Sequence, residues 1–146
     1  MAGMELLEIK YHLFYSVYPE RGRYIAWLLL CVALAVHIAD EAATGFLGLW
    51  NPEMAALGWR GLQMNFSVWI ALLGLGVIGL LILSYWVRRG TWWTVHAGYA
   101  FSILMLSNGL AHLGFSMYER AWMPGSYTSP LLVAGSLYLW MAMRAR

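Results

Sequence analysis

YIAWLLLCVALAVHIADEAATGFLGLW, residues 24–50, holds no Lys or Arg, and its only acidic residues, Asp40 and Glu41, stand beside His37 in an otherwise apolar helical run. It is longer than the roughly 20 residues that cross a hydrocarbon core of about 30 Å, so it must tilt, kink or emerge from the bilayer. Asn51-Pro52 reads as the cap and first turn of a new segment. Three further apolar runs follow at about 66–87, 92–117 and 129–143. The second carries little chemistry beyond Ser67 and Ser84 and reads as scaffold. The fourth is short and starts at a Ser129-Pro130 cap, which places part of the preceding loop in the interface. The fold class expected is all-α: a four-transmembrane-helix bundle, up-down-up-down, in which every backbone group is satisfied inside lipid.

Composition agrees, with 62% hydrophobic, 16% aromatic and 11% charged residues, about half the charge of an ordinary soluble domain. Glu5 and Glu8 break the basic-then-apolar pattern of a signal peptide, so the first span is expected to remain in the mature protein. Cys31 is the single cysteine, which rules out an intramolecular disulfide and a thiolate cluster. Lys10, Arg21 and Arg23 precede the first span, Arg88 and Arg89 link the second and third, and Arg144 and Arg146 follow the fourth; the other connections hold only Arg60 and Arg120. By the positive-inside rule both termini are cytoplasmic, in a multi-pass protein of the cell membrane. Residues 1–20 are expected to form an amphipathic surface helix with a stripe of Leu6, Ile9, Leu13, Phe14 and Val17. Its acidic residues favour packing on the bundle over attraction to anionic lipid.

Ionisable groups inside a bilayer are costly and mark sites. His37-Ile38-Ala39-Asp40-Glu41 and Asn108-Gly109-Leu110-Ala111-His112 are two such clusters. At about 1.5 Å per residue His37 and Glu41 lie about 20 and 25 Å along the first helix, and Asn108 and His112 about 22 and 28 Å along the third. Both helices rise from the cytoplasmic side, so the clusters meet at similar depth. Residues four apart share a helix face, which pairs His37 with Glu41 and Asn108 with His112. Asp40 borders the first of these faces, and Glu119 falls at the outer rim if the third helix continues.

Two His with one or two carboxylates and open positions is a ligand set for catalytic zinc or non-haem iron. On this reading His37, Glu41 and His112 are metal ligands, Asp40 is a further ligand or the base that activates bound water, and Asn108 orients a ligand or substrate. Metal-free acid–base catalysis by Asp40 and Glu41, as in an isomerase or cyclase, uses the same groups. So does an ion or proton pathway in a small transporter or an accessory subunit of a larger complex, and so does a buried network that only fixes helix register.

The constellation resembles a family of small membrane proteins named for an HxxEE motif, whose members also carry NxxxH and YxPG motifs. Those motifs stand here, in the same order, as His37-Ile38-Ala39-Asp40-Glu41, Asn108-Gly109-Leu110-Ala111-His112 and Trp122-Met123-Pro124-Gly125. Asp40 replaces the first Glu, with a shorter reach, and Trp122 replaces the Tyr, which removes a phenolic hydroxyl. The family has no assigned reaction, so the resemblance implies a shared site without naming its chemistry.

Pro124-Gly125 favours a tight turn that folds the loop over the clusters as a lid. Trp122, Pro124, Gly125 and Tyr127 are therefore expected to contact substrate. Thr128 and Ser129 offer hydroxyls to a substrate or the backbone, or cap the fourth helix. Gly74-Leu75-Gly76-Val77-Ile78-Gly79 spells GxGxxG but lies in an apolar span with no preceding strand, so it is read as helix packing and not as a nucleotide fold. His96 is interfacial and His12 solvated, the Trp residues near span ends form an aromatic belt, and no basic patch suggests nucleic acid. The leading expectation is a metal-dependent membrane enzyme, with zinc or iron, acting on a membrane lipid or apolar small molecule. A homo-oligomer or a larger membrane complex is the partner expected.

Overall fold

Gly45 divides the first apolar run in two. Its backbone is left-handed, φ 80° and ψ 38°, a conformation glycine takes without the penalty a Cβ would bring. Just before it, the Thr44 hydroxyl donates to the Asp40 carbonyl at 2.6 Å and closes the last helical turn. In a computed structural model that describes residues 19–144, helix α1 (Pro19–Thr44) stops here and α2 (Phe46–Ala56) begins; a 3₁₀ turn (Arg60–Leu62), α3 (Phe66–Arg88), α4 (Trp92–Glu119) and α5 (Ser129–Arg144) follow. No strand occurs among the described residues. The expected amphipathic surface helix falls almost wholly on residues 1–18, outside those described.

The break at Gly45 corrects the expected cap at Asn51-Pro52, because Pro52 lies inside α2. The Asn51 carboxamide is used elsewhere: its Nδ2 donates to the Met64 carbonyl and its Oδ1 accepts the Met64 N–H, each at 2.9 Å. Trp50 Nε1 donates to the Leu62 carbonyl at 3.0 Å. The connection to α3 is thus pinned to α2, and Asn65 caps α3 by accepting from Ser67 N at 2.8 Å.

Three helices, over Glu20–Thr44, Phe66–Arg88 and Trp92–Glu119, are long and apolar enough to cross a membrane, with mean hydropathies of 1.8, 2.6 and 1.3. Helix α5, at 16 residues, rises only about 24 Å. Helix α1 packs between α3 and α5, and α4 packs mainly on α5. The two motif-bearing helices therefore meet through long side chains and not as close neighbours along their length. Trp27 of α1 reaches Phe101 of α4 with ring centroids 5.1 Å apart, and its Nε1 donates to the Leu80 carbonyl of α3 at 2.9 Å. Leu30, Cys31, Met105, Leu132 and Leu139 fill the core around this pair.

Helix α3 leaves Leu72, Leu75, Ile78 and Ile82 exposed, as a helix bathed in lipid would. Gly74, Gly76 and Gly79 have nothing within 4 Å of where a Cβ would stand, so the close packing expected of them is not made among the described residues. Close approach occurs instead at Gly109 of α4, where a Cβ would meet the Ser129 carbonyl at 3.1 Å and Leu132 at 3.3 Å. That absence of a side chain brings α4 onto the start of α5, next to the polar clusters.

Candidate metal centre

His37 and Glu41, one turn apart on α1, and His112 of α4 converge on a single oxygen. Glu41 Oε1 is 3.6 Å from His37 Nε2 and 3.0 Å from His112 Nε2. The two imidazoles stand edge to face, with centroids 4.8 Å apart and planes at 77°. The His37 side chain is wholly buried, and those of Glu41 and His112 are 8% and 11% exposed.

The remaining ring nitrogens fix which atoms carry protons. His112 Nδ1 lies 2.6 Å from the Pro124 carbonyl, which can only accept, so Nδ1 holds a hydrogen, and Nε2 faces Glu41 Oε1 either as a lone pair or with a second proton. Thr128 donates both its N–H and its hydroxyl to Asp40 Oδ2, at 3.1 and 2.9 Å, which turns the hydroxyl's lone pairs toward His37 Nδ1 at 3.0 Å. His37 Nδ1 therefore also donates, and its Nε2 is a lone pair aimed at Glu41. Against these electron-rich atoms stands one donor, Asn108 Nδ2, 3.3 Å from His37 Nε2.

Such a group is satisfied by a cation or by a proton. The three ligand atoms lie within 4.8 Å of one another, and ligands about 2.0–2.1 Å from a tetrahedral zinc stand about 3.3 Å apart. The two measured edges, 3.0 and 3.6 Å, straddle that value. Oxygen acceptors on both Nδ1–H groups are also the outer-shell partners that metal-bound imidazoles use. A proton held between His112 and Glu41 satisfies the shorter contact and leaves Asn108 to serve His37.

The loop from Arg120 to Thr128 closes the site from the other side. Gly125 has φ +82°, and a Cβ there would stand 2.9 Å from Cε1 and Nδ1 of His112 and from Cε1 of His37. Its backbone lies against both rings. The loop's polar groups are paired inward: the Ser126 hydroxyl donates to the His112 carbonyl at 3.1 Å, Met123 N donates to Ser116 Oγ at 2.9 Å, and the Ser129 hydroxyl donates to the Gly125 carbonyl at 2.8 Å. On the remaining flank Phe46 lies 5.9 Å from the His112 ring and stacks with Trp50 and Trp69 at 5.7 and 6.0 Å.

A family described as protein of unknown function with HXXEE motif matches residues 27–139, which contain every group just named. The chain belongs to the HXXEE family. No curated protein and no solved structure matches it.

In this HXXEE protein the motif histidine and the second motif acid point inward together, and Asn108 and His112 of the later motif meet them. Asp40, expected as a ligand or base, lies beside the trio and is engaged by Thr128. Glu119 is exposed at the end of α4 and takes no part, and His96 stays with Trp92, 5.9 Å away. Pro124 and Gly125, expected to touch substrate, lie against the imidazoles. Trp122 and Tyr127 are 69% and 60% exposed and stack on each other at 5.0 Å, 12° from parallel. Thr128 and Ser129 spend their hydroxyls within the protein. The sequence reading assigned no role to Ser116, Ser126 or Phe46, and none of them belongs to a motif; only the fold brings them here.

Proposed function

We propose that this HXXEE protein carries a divalent-metal centre, zinc or iron, ligated by His37 Nε2, Glu41 Oε1 and His112 Nε2, and that it is a membrane enzyme acting on a lipid-like or other apolar substrate. The observation that carries this reading is the convergence of two imidazole Nε2 atoms and a carboxylate oxygen, with both outer nitrogens facing oxygen atoms. Three protein ligands leave a coordination position free, the pattern of catalytic rather than structural sites. A metal held there would polarise a substrate oxygen or lower the pKa of bound water. Asn108, whose Nδ2 lies 3.3 Å from His37 Nε2, would orient a ligand or the substrate. The apolar exterior of α3 and the aromatic flank of Phe46, Trp50 and Trp69 suit a substrate that arrives from lipid.

The same reading includes a four-span bundle, with α5 completing a crossing after α4, and both termini cytoplasmic in the cell membrane. Metal analysis of the detergent-purified protein tests the centre. About one equivalent of zinc or iron is expected, lost in His37→Ala, His112→Ala and Glu41→Gln. Protein that takes up neither zinc nor iron nor cobalt would overturn it in favour of the metal-free proton pair, which the 3.0 Å contact between His112 and Glu41 supports.

A further inference from the structure

Thr128 lies outside all three motifs, yet its hydroxyl bridges Asp40 and the buried imidazole of His37. One hydroxyl hydrogen must be assigned among three neighbours of Thr128 Oγ1: Asp40 Oδ2 at 2.9 Å, His37 Nδ1 at 3.0 Å and the Gly125 carbonyl at 3.3 Å. Aimed at His37, it would leave a hydroxyl lone pair facing a carboxylate oxygen at 2.9 Å, a repulsive contact. Aimed at Asp40, it makes a charge-assisted bond and leaves a lone pair to receive His37 Nδ1–H. The Thr128 N–H holds the same Oδ2 from a second direction at 3.1 Å, so the carboxylate cannot swing away without losing both bonds. His37 is fully buried, and water cannot replace the partner of its Nδ1.

We propose that Thr128 is a positioning residue: its hydroxyl passes the hydrogen-bonding demand of Asp40 to His37, holding that imidazole in the Nδ1–H form with Nε2 turned toward Glu41. The assignment makes the two histidines unequal. His112 donates to a carbonyl at 2.6 Å, whereas His37 donates at 3.0 Å to a hydroxyl that is itself committed to a carboxylate. It also gives Asp40 a task that needs no contact with the trio. The consequence for metal affinity rests on the ligand reading above; the tautomer of His37 does not.

The test uses full-length protein with ¹⁵N-labelled histidine in detergent, metal-free for ring-nitrogen NMR and then titrated with cobalt(II) followed by its visible absorption. His37 is expected as the Nδ1–H tautomer in the parent protein and in Thr128→Ser, which keeps the hydroxyl. In Thr128→Val it is expected to lose that form while His112 keeps its own, which serves as the internal control for folding. Cobalt affinity is expected to fall about 10–100-fold in Thr128→Val and to recover in Thr128→Ser. A Val variant whose His37 remains Nδ1–H would overturn the proposal and reduce Thr128 to a helix-start residue. If the parent protein binds no cobalt, the metal reading falls, and the tautomer comparison still decides the role of Thr128.

Discussion

A methyl group at Gly125 meets two obstacles that can be separated experimentally. The first is the left-handed backbone, φ +82°, which costs a residue with a Cβ about 1 kcal/mol. The second is the pair of imidazoles 2.9 Å from where that Cβ would stand. Gly58 has nearly the same φ, +79°, with nothing within 4 Å, so it carries the first obstacle alone. Gly125→Ala is therefore expected to destabilise by about 2–4 kcal/mol, adding overpacking to strain, and to weaken cobalt binding. Gly58→Ala is expected to cost about 1 kcal/mol and to leave binding intact. Thermal unfolding in detergent and cobalt titration read the difference, and equal effects at both positions would refute the close packing of Gly125 on the rings. His37, Glu41, Asn108 and His112 were legible in the sequence because an apolar helix makes each polar group conspicuous and its period of 3.6 assigns them to faces. The Asp40 and His37 partners of Thr128, and any part for Ser126, were not, since a hydroxyl in a loop does not declare its partners until the fold shows which atoms it faces.

At the scale of elements, the second half of the first apolar run is a separate helix, and its attachment is a side-chain matter. Asn51 pairs with both backbone polar groups of Met64 at 2.9 Å, while Gln63 Nε2 donates to the Asn51 carbonyl at 3.0 Å. Asn51→Ala is expected to free the connection between α2 and α3, with amide hydrogen exchange at Met64 rising about tenfold, equivalent to about 1.4 kcal/mol, while the core amides of α1 are unchanged. Unchanged exchange at Met64 would mean that the paired amide contributes nothing. Trp27→Phe removes the single bond from α1 to the Leu80 carbonyl of α3 and keeps most of the packing. Its expected cost is about 0.6 kcal/mol, the scale of interhelical bonds inside membranes. The apolar runs predicted the helices because length and hydropathy dominate in lipid. They did not predict the break, because a glycine that turns the chain and a glycine that lets helices approach look alike in sequence; only its backbone angles separate Gly45 from Gly109.

For the whole molecule, the length of α5 sets what a fourth crossing requires. Its 16 residues fall short of a hydrocarbon core of about 30 Å by about 6 Å, so a crossing requires the turn before it to sit below the outer surface. Irregular backbone is tolerated at that depth only where protein satisfies its polar groups. This turn meets the condition: Ser126 N donates to the Met123 carbonyl, Ser129 N to the Gly125 carbonyl and Thr128 N to Asp40, each at 3.1 Å, and Ser126 and Ser129 are fully buried. The same buried turn delivers Pro124 and Gly125 to the imidazoles, so on the four-span proposal the polar motifs and the short last helix explain each other. Arg88 and Arg89 lie at one end of the bundle and Arg60 and Arg120 at the other, so a crossing by α5 returns Arg144 to the end of Arg88 and Arg89, which the proposed orientation makes cytoplasmic. In a Cys31→Ser background, Arg144→Cys is expected to react with a membrane-impermeant thiol reagent only from the cytoplasmic face, and Arg120→Cys only from the opposite face. Labelling of both from one face would leave three crossings, with α5 folded back along the outer surface and the candidate centre at the water boundary instead of within the bilayer.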